Sequence, residues 1–352
     1  RSSGGFHGRI VGAGGLGLSG GLPGDFMDVL SVLAGLALLF LGGEVLVRAA
    51  VAIAGRFNVS QIIVGLTIVA FGTSAPEFTV SLSAALVGQP DIAVGNVVGS
   101  NIANILLVLG VTALIQPLRP ERQLVVRDGL FMFAVTIAMA ALCLTGMVGS
   151  LQGALFIALL GVYIGICYWV ESTNRSPVAA RHETEADEYG GLPPRLLVAF
   201  PLFLAGLAGV VLGADLLVSG ATSIARALGV AEAVIGLSLV AIGTSLPELA
   251  VSAIAAYRGR GDIAVGNIIG SNIANILLII GGTALVEPLT VARQIAAYDA
   301  WIMVLAALVL LPVMVTGRVI SRSEGAVFVI FFALYIASLY LGLPAYVIAF
   351  TA

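Results

Sequence analysis

Two long stretches of this chain recur almost letter for letter at a fixed distance. Val64-Gly-Leu-Thr-Ile-Val-Ala-Phe-Gly-Thr-Ser-Ala-Pro-Glu77 returns as Ile235-Gly-Leu-Ser-Leu-Val-Ala-Ile-Gly-Thr-Ser-Leu-Pro-Glu248. Asp91-Ile-Ala-Val-Gly-Asn-Val-Val-Gly-Ser-Asn-Ile-Ala-Asn104 returns as Asp262-Ile-Ala-Val-Gly-Asn-Ile-Ile-Gly-Ser-Asn-Ile-Ala-Asn275. Glu77 maps to Glu248 and Asn104 to Asn275 with the same offset of 171 residues, so the chain is two copies of one half.

The copies lie in segments built to cross a membrane. The chain is 59% hydrophobic and 10% charged, with mean hydropathy +1.11, well beyond the roughly half-apolar composition of globular domains. A hydrocarbon core needs about 20 helical residues per crossing. Apolar runs of that length fall near 26–54, 59–87, 91–116, 126–146, 151–171, 195–225, 231–257, 262–287, 296–316 and 324–349, the last interrupted near Gly342-Leu-Pro344. Each half therefore crosses an odd number of times, and the second begins on the opposite side from the first. The expected fold is an all-α integral membrane protein of about ten transmembrane helices in two inverted five-helix repeats, related by a pseudo-two-fold axis in the membrane plane.

The expected division is a glycine- and serine-rich flexible tail over residues 1–24, a first repeat over 25–171, a polar loop over 172–194 and a second repeat over 195–352. The tail lacks the sustained apolar core of a secretory signal and is set aside from the fold. There is no lysine, so arginine alone reports orientation through the positive-inside rule. With residue 25 outside, the inner loops carry Arg56, Arg119, Arg122, Arg127, Arg175, Arg181, Arg195, Arg258, Arg260, Arg318 and Arg322. The outer loops hold Arg226 and Arg293, with Arg1 and Arg9 in the tail. Both termini are thus expected outside an inner or plasma membrane, and the polar loop in the cytoplasm.

Several classes find no footing. Cys143 and Cys167 sit in apolar spans without paired spacing, and His7 and His182 lie in tail and loop, which suits buried thiols and solvated imidazoles. No nucleophile–base pair, phosphate-binding loop or dinucleotide fingerprint is present. The chain reads as neither an enzyme nor a nucleic-acid binder, and it calls for no cofactor.

Glu77 and Glu248 carry the chemistry. An acid at the centre of a span costs roughly 2.5–3.5 kcal/mol on insertion scales, so these carboxylates point to a binding site. Because matching segments meet at the pseudo-two-fold axis, they are expected to face each other near the midplane. Thr73 lies four residues before Glu77, and Thr244 before Glu248, about one helical turn away. Pro76 and Pro247 remove a backbone donor and disturb the preceding turn, so the carbonyls around Ala70–Gly72 and Ala241–Gly243 are offered beside the carboxylates. The second motif adds Ser100 and Asn104, with Ser271 and Asn275, and Asn96 and Asn267 one turn back on the same face.

This set consists of carboxylate, amide, hydroxyl and carbonyl oxygens, the chemistry of hard cations such as Ca²⁺. The Gly95–Gly99 and Gly266–Gly270 spacings equally suit close helix packing, and serine or threonine hydroxyls can bond back to their own helix. Two ionised glutamates balance one Ca²⁺, two Na⁺ or two protons. A site able to hold either load in alternation is an antiporter in principle, and two inverted halves around one midplane site favour alternating access over a pore.

At these motifs the chain resembles the sodium/calcium exchanger family of the cation/calcium antiporter superfamily, in its prokaryotic branch, since the central loop leaves no room for a regulatory calcium-binding domain. The resemblance implies exchange of Na⁺ for Ca²⁺. It makes Glu77 and Glu248 the shared carboxylates, gives Thr73, Ser74, Thr244 and Ser245 hydroxyl or carbonyl ligands, and has Ala70 and Ala241 offer carbonyls. Ser100 and Ser271 would line sodium positions, with Asn104 and Asn275 completing the centre. Some prokaryotic and potassium-dependent members carry an aspartate where this chain has Asn275. The proton-coupled relatives usually carry a glutamate shortly after the Gly-Asn pair, where this chain has Val97, Val98, Ile268 and Ile269, so sodium leads. The alternatives are a calcium/proton antiporter and, in a different class, a cation channel or a non-transporting cation-binding membrane protein.

Outside the motifs, Glu44 and Arg48 lie one turn apart and are expected to pair locally, with Asp215 matching Glu44 in the second half. Gly42, Gly43 and Gly213 beside them are expected to serve as bends if these helices move.

Overall fold

The computed structural model describes residues 24–57, 59–120, 124–173, 196–228, 241–316 and 319–350. The tail and nearly all of the 172–194 loop lie outside the described residues, with Arg1, Arg9, Arg122, Arg175, Arg181, Arg195, Arg318, His7 and His182. Residues 229–240, the start of the expected seventh span, lie outside them as well.

The apolar runs are helices, close to the expected bounds. In chain order they are α1 (Gly24–Phe57), α2 (Gln61–Thr73), α3 (Ala75–Leu86), α4 (Pro90–Ile115), α5 (Val126–Cys143), α6 (Ser150–Thr173) and α7 (Leu196–Ala227). The second half continues with α8 (Leu246–Tyr257), α9 (Gly261–Val286), α10 (Ile295–Met314), α11 (Arg322–Tyr340) and α12 (Leu343–Phe350). Eight of the described helices are long and apolar enough to span a membrane alone, and α2 with α3 makes a ninth span bent by 44°. The expected seventh span is described only from residue 241, as a one-turn helix at Ala241–Gly243 followed by α8. The chain is therefore an all-helical membrane protein with the inverted-repeat plan.

Both breaks sit where the prolines place them. Ser74 and Ser245 leave helical geometry, at φ −83°, ψ 7° and φ −89°, ψ 5°, and Pro76 and Pro247 fall in the first turn of the following helix, where a missing N–H is tolerated. This corrects one expectation. Thr73 and Glu77 are not one turn apart on a continuous helix, because the axis turns between them; Thr73 ends α2 and Glu77 opens α3. The final span is interrupted as expected, with Gly342 at φ +69° between α11 and α12.

Contacts across the loops reveal the pseudo-symmetry. Met147–Val148, after α5, pairs antiparallel with Leu289–Thr290, after α9, while Leu118, after α4, bridges to Ile320, before α11. Arg322 reinforces the second contact by donating to the carbonyls of Leu114 and Ile115 at 3.0 and 3.2 Å. These are the same pairing, taken once on each side of the membrane, and each needs an even number of crossings between its strands. The ten-span plan provides this.

The helices α4 and α9 form the middle of the molecule. From Ile263 to Ile276 every residue of α9 is buried, and glycine lets it press on α2. A Cβ at Gly266 would lie 3.0 Å from the Ile62 carbonyl oxygen, and one at Gly270 would fall on the carbonyl oxygen of Leu66. At the periphery α1 and α7 lie together along a seam of Gly35, Gly42, Gly206 and Gly213. A Cβ at any of the four would come within 2.6–2.7 Å of a backbone nitrogen across the seam. Gly42, Gly43 and Gly213 are interior residues of continuous helices in this conformation, and Gly42 and Gly213 admit the opposing backbone.

Glu44 does pair with Arg48, at 2.6 Å, but its other oxygen accepts from Arg258 Nε at 2.8 Å. The acid thereby ties α1 to the end of α8 in the other half. The arginines are about half exposed, and exposed ion pairs contribute about 0.2–1 kcal/mol. Arg258→Ala is expected to lower the melting temperature of the purified protein only slightly. A large loss would mean that the pair holds the two halves together.

A candidate cation site between the two halves

The two breaks deliver the two glutamates to one place. Glu77 and Glu248 are 1% and 0% exposed, and Ser74, at the break of the first half, donates its hydroxyl to Glu248 Oε1 at 3.0 Å. The Thr73 hydroxyl and Ser271 lie beside the same carboxylate. The first half thus contributes Thr73 and Ser74 to the second half's acid.

Two asparagines hold the glutamate-bearing helices in register. Asn96 donates to the Glu77 carbonyl at 3.1 Å and to Ser81 Oγ at 3.0 Å. Asn267 repeats this with the Glu248 carbonyl at 3.5 Å and Ser252 Oγ at 3.0 Å. Their amide nitrogens are thereby committed to positioning. Thr73 shares its hydroxyl between the Ala70 carbonyl and Asn267 Oδ1, both at 3.2 Å.

What remains is a group of buried polar atoms with no hydrogen-bond partner among the described residues. Eight such atoms fall on the two repeated motifs' acids and their neighbours: both oxygens of Glu77, Glu248 Oε2, both ends of the Asn104 amide, Asn275 Oδ1, and the hydroxyls of Ser245 and Ser271; Asn272 Oδ1, Arg127 Nη1 and the hydroxyls of Thr222 and Thr283 are the others. Buried polar groups are nearly always satisfied, and an unpaired buried carboxylate is especially costly. A concentration of such atoms on two carboxylates and their neighbours is the signature of a ligand site. Of the eight, all but the Asn104 amide nitrogen are hard oxygens, and among the described residues no group of three His, Cys, Asp or Glu forms.

The other expected residues are distributed around this group. Ser100 is buried on α4 and Thr244 is half-buried at the second break. The Ala70 carbonyl already accepts the Ser74 N–H at 3.0 Å, whereas the Ser245 N–H bonds to Ile242 O at 3.1 Å, three residues back. Asn104 and Asn275 each open a wide, π-type turn, over Asn104–Val108 and Asn275–Ile280, a distortion that often marks functional positions.

Four further polar residues escape a reading of the sequence. Asn101 and Asn272 lie inside the repeated motif and meet where α4 and α9 cross, Asn101 donating to the Asn272 carbonyl at 3.2 Å. Asp128 and Asp299 are also 171 residues apart, and both are buried. Asp128 accepts from Arg127 at 2.7 and 2.9 Å and from the Tyr163 hydroxyl at 2.9 Å; Asp299 accepts from the Tyr335 hydroxyl at 3.0 Å and Gln294 at 3.3 Å. Both acids are satisfied and pin neighbouring helices, away from the unpartnered cluster. The common offset was the available signal.

The chain is similar to known proteins along most of its length. The family model described as sodium/calcium exchanger protein matches residues 27–169 and 198–341. The putative antiporter CaxA of Alkalimonas amylolytica is 38% identical over 86% of this chain and 96% of its own. The sodium/calcium exchanger MaX1 of Methanosarcina acetivorans is 33% identical over 89% and 99%. Among solved structures, the sodium-calcium exchanger NCX_Mj soaked with 10 mM Na⁺ and zero Ca²⁺ superposes with a TM-score of 0.75 at 33% identity, covering 90% of this chain and 99% of that one.

Proposed function

The chain belongs to the sodium/calcium exchanger protein family, and from that premise we propose that it moves Ca²⁺ across the membrane against a counterflow of Na⁺. It is a multi-pass cation/calcium antiporter and not an enzyme. The choice of sodium over protons as the coupling ion is our inference.

One observation carries the proposal: two buried carboxylates, one from each inverted half, surrounded by unpartnered neutral oxygens. Two negative charges balance one Ca²⁺ or two Na⁺. Neutral amide and hydroxyl ligands let either cation exchange its hydration shell for protein oxygens without a third acid holding it too firmly to leave. We assign Glu77 and Glu248 as the shared ligands, with Thr73, Ser74, Thr244, Ser245, Ser100, Ser271, Asn104 and Asn275 contributing side-chain or backbone oxygens and Ala70 and Ala241 contributing carbonyls. Val97, Val98, Ile268 and Ile269 beside the Asn96 and Asn267 anchors supply no acid for a proton route, which supports sodium.

The arginine distribution supports an orientation with both termini outside and the 172–194 loop in the cytoplasm, the halves 25–171 and 195–352 exposing the centre to each side in turn. Purified protein in liposomes loaded with Na⁺ is expected to accumulate radioactive Ca²⁺ when diluted into sodium-free medium, at equal pH on both sides. Uptake driven only by a pH gradient would instead make it a calcium/proton antiporter, and uptake needing no counter-ion would make it a channel.

A further inference from the structure

Asn101 has no place in the ligand set, yet its side chain touches one member of that set directly. Its Nδ2 donates to the backbone carbonyl of Asn272 at 3.2 Å, and its Oδ1 accepts from Asn275 Nδ2 at 3.0 Å. All three asparagines are at most 1% exposed. A backbone carbonyl can only accept, so the end of Asn101 facing it has to be the nitrogen. The oxygen of Asn101 then faces Asn275, which has to answer with its own nitrogen. Asn275 Oδ1 is left over, buried and without a protein partner.

We infer that Asn101 is a positioning residue, which locks the Asn275 amide in the one orientation that presents its oxygen to the cation held by Glu77 and Glu248. The inference rests on the proposed cation centre and adds to it the group that fixes one ligand's orientation. Without this relay the amide could turn and present its NH₂ group, which would repel a cation where the oxygen attracts it. The device exists in one half only. The equivalent amide, Asn104, has both ends unpartnered, and Asn272, the copy of Asn101, spends its nitrogen on the Ile268 carbonyl of its own helix at 2.7 Å.

The test is a double-mutant cycle read as Ca²⁺ binding to the detergent-purified protein, so that it does not depend on which ion drives transport. Outer groups that orient a ligand typically affect metal affinity by 10–100-fold, so Asn101→Ala is expected to weaken Ca²⁺ binding about tenfold, close to the loss from Asn275→Ala. The double variant should be no weaker than Asn275→Ala alone. Asn101→Ser, which can still bond near the Asn272 carbonyl but is too short to reach Asn275, should show the same loss and serves if the alanine variant fails to fold. A structural role for Asn101 would lower the melting temperature while leaving affinity untouched, or would add its effect to that of Asn275→Ala; either result overturns the inference. If Glu77→Gln and Asn275→Ala also bind Ca²⁺ like the parent, the cation centre itself falls, whereas loss in those two with normal binding by the Asn101 variants removes only the relay.

Discussion

Glu77→Gln and Glu248→Gln are each expected to abolish Ca²⁺ exchange while leaving a folded protein. The substitution keeps the shape of the side chain and removes one of the two negative charges in the centre. A unit charge about 4 Å from a cation is worth roughly 4 kcal/mol per unit of cation charge at an effective dielectric of about 20. Part of this is offset by the cost of burying the carboxylate, so a fall in Ca²⁺ affinity of at least a hundredfold, or about 2.7 kcal/mol, is the conservative expectation. Melting curves separate lost function from lost structure. Buried carboxylate oxygens without a partner among the described residues, both on Glu77 and one on Glu248, are a burden on the ion-free protein, so neither variant should melt much earlier than the parent without Ca²⁺. What should disappear is the rise in melting temperature that saturating Ca²⁺ gives the parent. Near-parental flux by either variant would remove that glutamate from the site.

Gly270→Val is expected to cost at least a factor of ten in exchange and to lower the melting temperature together with it. The added Cβ would fall on the Leu66 carbonyl oxygen, with the Leu66 Cα and the Ala70 Cβ close behind. The obstacle is backbone, so no rotamer change relieves it. Overpacked positions typically lose about 1–3 kcal/mol, and here the displaced segment is the end of α2 that delivers Thr73 and Ser74 to the centre. Gly270→Ala should show a smaller loss of the same kind. Gly161→Ala, on the exposed face of α6 with nothing among the described residues within 4 Å of the new carbon, is the matched control and should be neutral. Unimpaired exchange by Gly270→Val would mean that α2 and α9 do not meet at this glycine.

The plan of the molecule was legible because membrane insertion constrains a sequence so strongly. Apolar length gave the spans, their odd number per half gave the inversion, and Pro76 and Pro247 marked the breaks, though not the turn of the axis that separates the threonines from the glutamates. The glutamates were legible because an acid in an apolar run costs too much to be kept for packing alone. Asn101 was not, because the spacing Asn96, Ser100, Asn104 follows one turn after another and draws attention to a single face of α4; Asn101 lies three residues from Asn104 and meets a helix from the other half. Asp128 and Asp299 share the repeat offset, but their neighbours, Arg127 and Gly129 against Tyr298 and Ala300, share nothing that would flag them. The bond from Arg258 to Glu44 spans 214 residues. It has no counterpart to reveal it, since the offset places Val87 and Asp215 where the pair would be.

The loop pairings on the two faces bear on how such a molecule could arise. Leu118 meeting Ile320, and Val148 meeting Leu289, are one contact viewed from opposite sides. Two unlinked copies of the first half, inserted upside down with respect to each other, could therefore clasp one another at both faces and bring two Glu77 side chains together. That ancestor would be a homodimer of a dual-topology protein, bound to treat both faces of the membrane alike. Fusion into one chain lifts the obligation: Asn101 can hold Asn275 while Asn104 stays loose, and Glu44 can take two arginines while Asp215 has none at the corresponding positions. A single polypeptide can thus tell inside from outside in a way that a pair of identical halves cannot.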